Sequence, residues 1–115
     1  MILIWCAYSP SNMSARRRAL PLLLMLALRF RVRHLIVVKN HRDAYAPRLP
    51  LGQTSVISGS NTLGEFSAWA EGLNFVRDAI ADDDIVLCAN DTLLRHGRLG
   101  LGDYLDLLAH NNSDL

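Results

Sequence analysis

The sequence predicts a single three-layer α/β domain in which a mainly parallel sheet lies between helices. Three observations lead there. Short apolar runs alternate with longer helical stretches, the order that builds parallel sheets. Two of those runs, residues 1 to 8 (MILIWCAY) and 85 to 89 (IVLCA), show no alternation of polar and apolar residues, the pattern of strands buried on both faces. Polar residues then gather where the runs stop. At 115 residues the chain has material for one respectable core, and with half of it hydrophobic and a fifth charged, disorder is not expected for most of it. The domain is placed at residues 1 to 110, with 111 to 115 as a frayed tail.

The first strand, 1 to 8, is broken by Ser9, Pro10, Ser11 and Asn12, because proline donates no ladder hydrogen bond and Ser and Asn favour turns and caps. A helix is predicted over 14 to 28, with Pro21 kinking it or delaying its start. Residues 34 to 39 (HLIVVK) form the second strand and 40 to 43 (NHRD) its polar exit. Pro47, Pro50 and Gly52 make 44 to 53 a loop, and 54 to 58 (TSVIS) are a short third strand ending at Gly59, Ser60 and Asn61. The second helix opens at Thr62 and Glu65 in the form of a capping box. Phe66, Trp69, Leu73, Val76 and Ile80 recur at spacings of three and four and are expected to be its core face, with Glu71, Asn74 and Asp78 on the other side. The fourth strand, 85 to 89, ends in Asn90, Asp91 and Thr92. A Gly- and Arg-rich stretch, 95 to 102, and a third short helix, 104 to 109, follow.

The order β-α-β-β-α-β-α describes a Rossmann-like sheet. Parallel strands bring the exits at 8 to 9, 40 to 43, 59 to 61 and 90 to 92 to one rim, the edge at which open α/β sheets bind ligands. Asp91, a carboxylate at the end of an apolar strand, is the first functional candidate on that ground.

The net charge of +1 gives no global argument for nucleic acid, yet Arg16, Arg17, Arg18, Arg29, Arg31 and Arg33 are half of all the Lys and Arg. Such a cluster suits an anionic neighbour such as a phospholipid surface, although a solvated helix face is the commoner reason for it. The apolar run 19 to 28 is shorter than the roughly 20 residues of a spanning helix and reads as a core helix, with interfacial contact as the lesser alternative. Cys6 and Cys88 sit in apolar runs and read as buried thiols in a cytoplasmic protein. His34, His41, His96 and His110 show no metal-ligand spacing, and Arg95 and Arg98 read as solvated.

Read together, the segments 6 to 9 (CAYS), 37 to 43 (VVKNHRD), 60 to 64 (SNTLG) with 68 to 73 (AWAEGL), and 86 to 92 (VLCANDT) resemble the nucleotide-sugar half of GT-A type, family-2-like glycosyltransferases. The wording is closest to bacterial polysaccharide and O-antigen enzymes. The resemblance implies a truncated GT-A fold that binds a nucleoside diphosphate sugar for transfer to a glycan acceptor. It implies that Asp91, beside Asn90, holds Mg²⁺ or Mn²⁺ against the donor diphosphate, that Tyr8 borders the nucleobase, that Asp43 or Asn40 meets the base or ribose, and that Asn61 and Gly64 bring backbone close to the donor. A hard cation with carboxylate and phosphate oxygens is sound chemistry for such a site. The sequence departs from the family in having Asn90 and Thr92 where a second carboxylate would stand. The plainer readings are a carboxylate that caps the following turn for Asp91, a wet hydroxyl at a sheet edge for Tyr8, and turn and helix entry for Asn61 and Gly64.

The family's acceptor half and its general base have no counterpart expected in the 24 residues after Asp91. An exposed sheet edge and self-association are expected in consequence. The rival readings are a non-catalytic α/β binding module and a membrane-peripheral protein working through the Arg-flanked helix 15 to 33 at the inner membrane face.

Overall fold

The computed structural model describes residues 1 to 10 and 13 to 91. The expected third helix, the Gly- and Arg-rich stretch with Arg95 and Arg98, Thr92, His96, His110 and the tail lie outside the described residues. The described elements are β1 (Ile2–Ala7), α1 (Met13–Arg29), β2 (His34–Lys39), β3 (Gln53–Ser58), α2 (Glu65–Val76), a 3₁₀ turn (Arg77–Ala79) and β4 (Val86–Asn90).

The four strands form one parallel sheet in the order β3-β2-β1-β4. Strand pleating splits the core into two layers. Leu3, Trp5 and Ala7 of β1, with Leu35 and Val37 of β2, pack with Ala19, Leu22, Leu23 and Leu26 of α1. The alternate residues Ile2, Ile4, Cys6, Ile36 and Val38 pack with Ala68 and Val76 of α2. The result is the three-layer α/β arrangement that the sequence predicts, and β1, buried on both faces along its whole length, is its centre.

Three local expectations are corrected. Residues 85 to 89 are less buried than expected: β4 lies at the edge of the described sheet, Ile85 is 41% exposed and Cys88 is exposed rather than a buried thiol. An apolar run encodes hydrophobicity but not the number of neighbours. The core face of α2 is as expected only in part: Val76 is buried and Trp69 and Ile80 pack against the core, but Phe66 and Leu73 are 68% and 44% exposed, and Ser67, Ala68 and Gly72 are buried in their stead. The reason is close approach: a Cβ on Gly72 would stand 2.5 Å from Ile4 Cγ2 and 3.1 Å from Val38 Cγ2, so nothing larger than glycine fits at that point of the sheet without a shift. The capping box does not form. The residue before α2 is Gly64, at φ 61°, with no side-chain cap. Ser67 instead takes the Leu63 N–H at 3.1 Å and donates to the Gly64 carbonyl at 2.8 Å.

Helix α1 runs through Pro21 rather than starting after it. The connection between β2 and β3 has no helix in it. It carries Ala44 and Leu49 into the α1-side core and bridges back to the β1 exit, where Tyr45 N–H donates to the Ser9 carbonyl at 2.8 Å. At the opposite edge, Arg33 clasps Asp84 and donates to the Ala79 carbonyl at 2.9 Å, tying the start of β2 to the turn before β4.

Candidate functional site: the carboxyl rim between β1 and β4

The strand order places a topological switch between β1 and β4. From β1 the chain passes through α1 to β2 on one side, and through α2 it crosses back to β4 on the other. At such a point the strand ends diverge and leave a crevice. Asp91 stands there. Its backbone N–H donates to the Cys6 carbonyl at 3.1 Å, continuing the β1–β4 ladder. Its carboxylate is buried, at 8% exposure, and Oδ2 accepts the backbone N–H groups of Tyr8 at 2.8 Å and Ser9 at 2.6 Å. The carboxylate therefore closes the exit of β1, and the turn after β4 that the capping alternative concerns lies outside the described residues.

Asn40 sits across β1 from this pair. It is buried, its backbone N–H donates to the Ala7 carbonyl at 2.9 Å, and its Nδ2 donates to the Gly64 carbonyl at 2.9 Å and to Cys6 Sγ at 3.5 Å. That amide joins the end of β2 to the start of α2. Its Oδ1 is buried without a hydrogen-bond partner and faces Gly59, where a Cβ would fall on top of it. The Tyr8 side chain, half-buried, comes down on the same spot: a Cβ on Gly64 would stand 3.1 Å from its hydroxyl. Burial pushes the Tyr8 phenol up, with Asn40 lowering it and Cys6 raising it. Burial likewise pushes the Cys6 thiol up to about 11, with Tyr8 lowering it and Asp91 and Glu65 raising it further. Both shifts keep the Cys6 thiol and the Tyr8 phenol protonated at neutral pH.

The structure thus brings Tyr8, Asn40, Gly64, Asn90 and Asp91 into one contiguous group. Asn90 ends β4 opposite Cys6 in the ladder. Asp43 stands apart on an exposed turn, next to Ala44, which bridges Pro10. Of the two positions offered for a base or ribose contact, Asn40 has its amide directed inward and Asp43 is the one open to solvent. Asn61 is exposed, at φ 55°, so it and Gly64 both occupy the left-handed region that their turn roles require.

Three participants were not singled out in the sequence. Cys6 is the thiol beneath Tyr8 and Asn40. Ser67 holds the entry to α2. Glu71, expected on the solvated side of α2, accepts the Ser60 N–H at 3.0 Å and the Ser60 hydroxyl, which anchors the β3 exit. For Cys6 the sequence does hold a signal, since alternation along β1 puts it on the same face as Ile4 and two residues before Tyr8.

Among the described residues no group of three or more His, Cys, Asp and Glu side chains is placed to hold a metal ion. Among the described residues a cation at Asp91 would meet one carboxylate, with Oδ2 already engaged by two N–H groups. The chain matches no protein-family model, and comparison with curated proteins and with solved structures returns no significant match.

Proposed function

We propose that the rim between β1 and β4 binds the diphosphate of a nucleoside diphosphate sugar, as the donor half of a GT-A type glycosyltransferase does, for transfer of the sugar to a glycan such as a bacterial surface polysaccharide. The observation that carries the reading is the buried Asp91 carboxylate at the topological switch, fixed by the N–H groups of Tyr8 and Ser9. A carboxylate held in this way is preorganised, so a ligand need not order it first.

Each part has a stated task. Asp91, with Asn90 beside it, meets a Mg²⁺ or Mn²⁺ ion that arrives with the donor. One protein carboxylate suffices for such an ion when phosphate and water complete its shell, and the ion offsets the charge of the leaving diphosphate. Tyr8 and Asp43 border the nucleoside. Asn61 and Gly64 let the backbone pass close to it. The proposal concerns donor binding; no rim residue is assigned as the base for an acceptor hydroxyl.

The test is a calorimetric titration of the chain with nucleoside diphosphates, with and without Mn²⁺, repeated on Asp91→Asn after circular dichroism has shown that the variant is folded. Binding strengthened by Mn²⁺, and that strengthening lost in the variant, is expected. Absence of diphosphate binding, or binding indifferent to both metal and Asp91, contradicts the reading.

A further inference from the structure

We propose that the outer face of α1 docks in the plane of an anionic lipid bilayer, with a headgroup phosphate held in the cavity between α1 and residues 45 to 48. This is independent of the rim and stands whether or not a diphosphate binds there.

The first observation is that α1 is apolar on two sides. Inward, Ala19, Leu22, Leu23 and Leu26 are buried. Outward, Leu20, Leu24 and Leu28 are 59%, 39% and 62% exposed, and Met13 is 65% exposed. The three leucines are spaced by four and form one line about 12 Å long at about 1.5 Å of rise per residue. On a helix whose outer side faced only water that line would be polar.

The second observation is charge. Arg16, Arg17 and Arg18 precede the leucine line, Arg29 and Arg31 follow it, and no carboxylate occurs in the chain before Asp43. Glu65, Glu71, Asp78, Asp82, Asp83 and Asp84 belong to α2 and the segment after it. Among the described residues the α1 layer is therefore rich in arginine and the α2 layer in carboxylates. An anionic surface orients such a molecule with α1 towards it.

The third observation is a cavity of about 350 Å³ that opens beside α1. Arg16 and Arg48 supply two guanidinium groups, Leu23 and Ala46 an apolar floor, and Tyr45 a phenol. Leu20 belongs both to its wall and to the exposed line, so cavity and apolar stripe share one face. Paired guanidiniums match the oxygens of a phosphate, and the adjoining leucines match the hydrocarbon to which a lipid phosphate is attached.

Other occupants fit less well. A nucleic acid would meet the arginines but offers nothing for the leucine line. A second copy on a twofold axis would set arginines against arginines. Among the described residues no helix is long and apolar enough to cross a membrane, so the contact is in-plane.

Sedimentation with vesicles tests this, using phosphatidylcholine alone and phosphatidylcholine mixed with phosphatidylglycerol. The chain should bind the mixed vesicles and leave the neutral ones. Replacing Leu24 and Leu28 together by Ser should weaken binding at least about tenfold without changing charge. Replacing Arg16 and Arg48 together by Gln should weaken it about twenty-five-fold, at about fivefold per arginine, whereas Arg42→Gln with Arg77→Gln, equal in charge but outside α1 and the cavity lining, should cost far less. The proposal is overturned by equal binding to neutral vesicles, by no binding at low salt, by leucine replacements without effect, or by equal losses from the two arginine pairs. It is overturned equally if inorganic phosphate releases the chain from vesicles while the leucine variant binds as the parent does, since the cavity would then serve free phosphate.

Discussion

Asp91 is a structural residue first, whatever it binds. Its Oδ2 takes two backbone N–H groups that the end of β1 would otherwise leave without a partner. Asp91→Ala is accordingly expected to lose about 2–4 kcal/mol, from two partly buried donors left unsatisfied. Asp91→Asn, which keeps an acceptor oxygen and loses the charge, should lose about 1–2 kcal/mol. Urea unfolding reads both, and an unchanged midpoint for the alanine variant would remove the carboxylate from its place in the fold. At this scale the sequence drew attention to Asp91, because a carboxylate ending an apolar strand is locally conspicuous. It did not show the partner, since Tyr8 lies 83 positions away and nothing near Asp91 encodes that distance. Asn40 is a similar case. Its place at a strand exit was readable, but its inward amide depends on Gly59 and Gly64 leaving room for it.

At the scale of the element, helix α2 shows what periodicity does and does not carry. The stripe from Phe66 to Ile80 is real as a pattern and meets the core at Val76, Trp69 and Ile80, but the closest approach to the sheet is through Ala68 and Gly72, towards the side away from Phe66 and Leu73. Hydrophobicity drew attention to the large residues, and the short distance between layers selected the small ones. Gly72→Ala tests this directly. The added methyl meets Ile4 Cγ2, which branches next to the backbone and cannot swing aside. Overpacking of about 1–3 kcal/mol should outweigh the gain of up to about 1 kcal/mol in helix propensity, giving a lower denaturation midpoint. A more stable Gly72→Ala would mean that α2 does not sit as close as described. Strand β4 carries the parallel lesson, because an unbroken apolar run was compatible with a centre or an edge. The positions of β1, α1 and β2 were legible to within a residue or so, since each is bounded by turn residues or a charge and no close packing was needed to find it.

The whole molecule is held at its two ends by different chemistry. At the carboxyl rim the ties are backbone N–H groups and amides around Asp91 and Asn40. At the other edge, Arg33 and the Ala81 N–H hold the Asp84 carboxyl down at about 2, with the amino group of Met1 at 3.6 Å. A depressed carboxyl stabilises the fold at pH above its ordinary 3.8 and loses that contribution as pH falls towards about 2. Burial, with help from Arg33, pushes the His34 pKa down, so the folded state takes up this proton less readily than the unfolded chain; stability should begin to fall once pH drops below about 6.5, where the unfolded histidine takes its proton. Thermal unfolding followed from pH 8 downwards should therefore show two declines. His34→Gln should flatten the first and Asp84→Asn the second. A single decline unaffected by either variant would show that other groups govern acid unfolding.

The central claim is that a donor diphosphate and its cation meet this chain at the switch between β1 and β4. Amide chemical shifts report that most directly, because the Tyr8 and Ser9 N–H groups are bonded to the carboxylate in question. On adding a nucleoside diphosphate with Mg²⁺, the amide signals of Tyr8, Ser9, Gly64 and Asp91 should move together and saturate at one ligand concentration, and Mg²⁺ alone should leave them in place. Shifts confined to Arg16, Tyr45 and Arg48, or no shifts at the rim, would contradict the account.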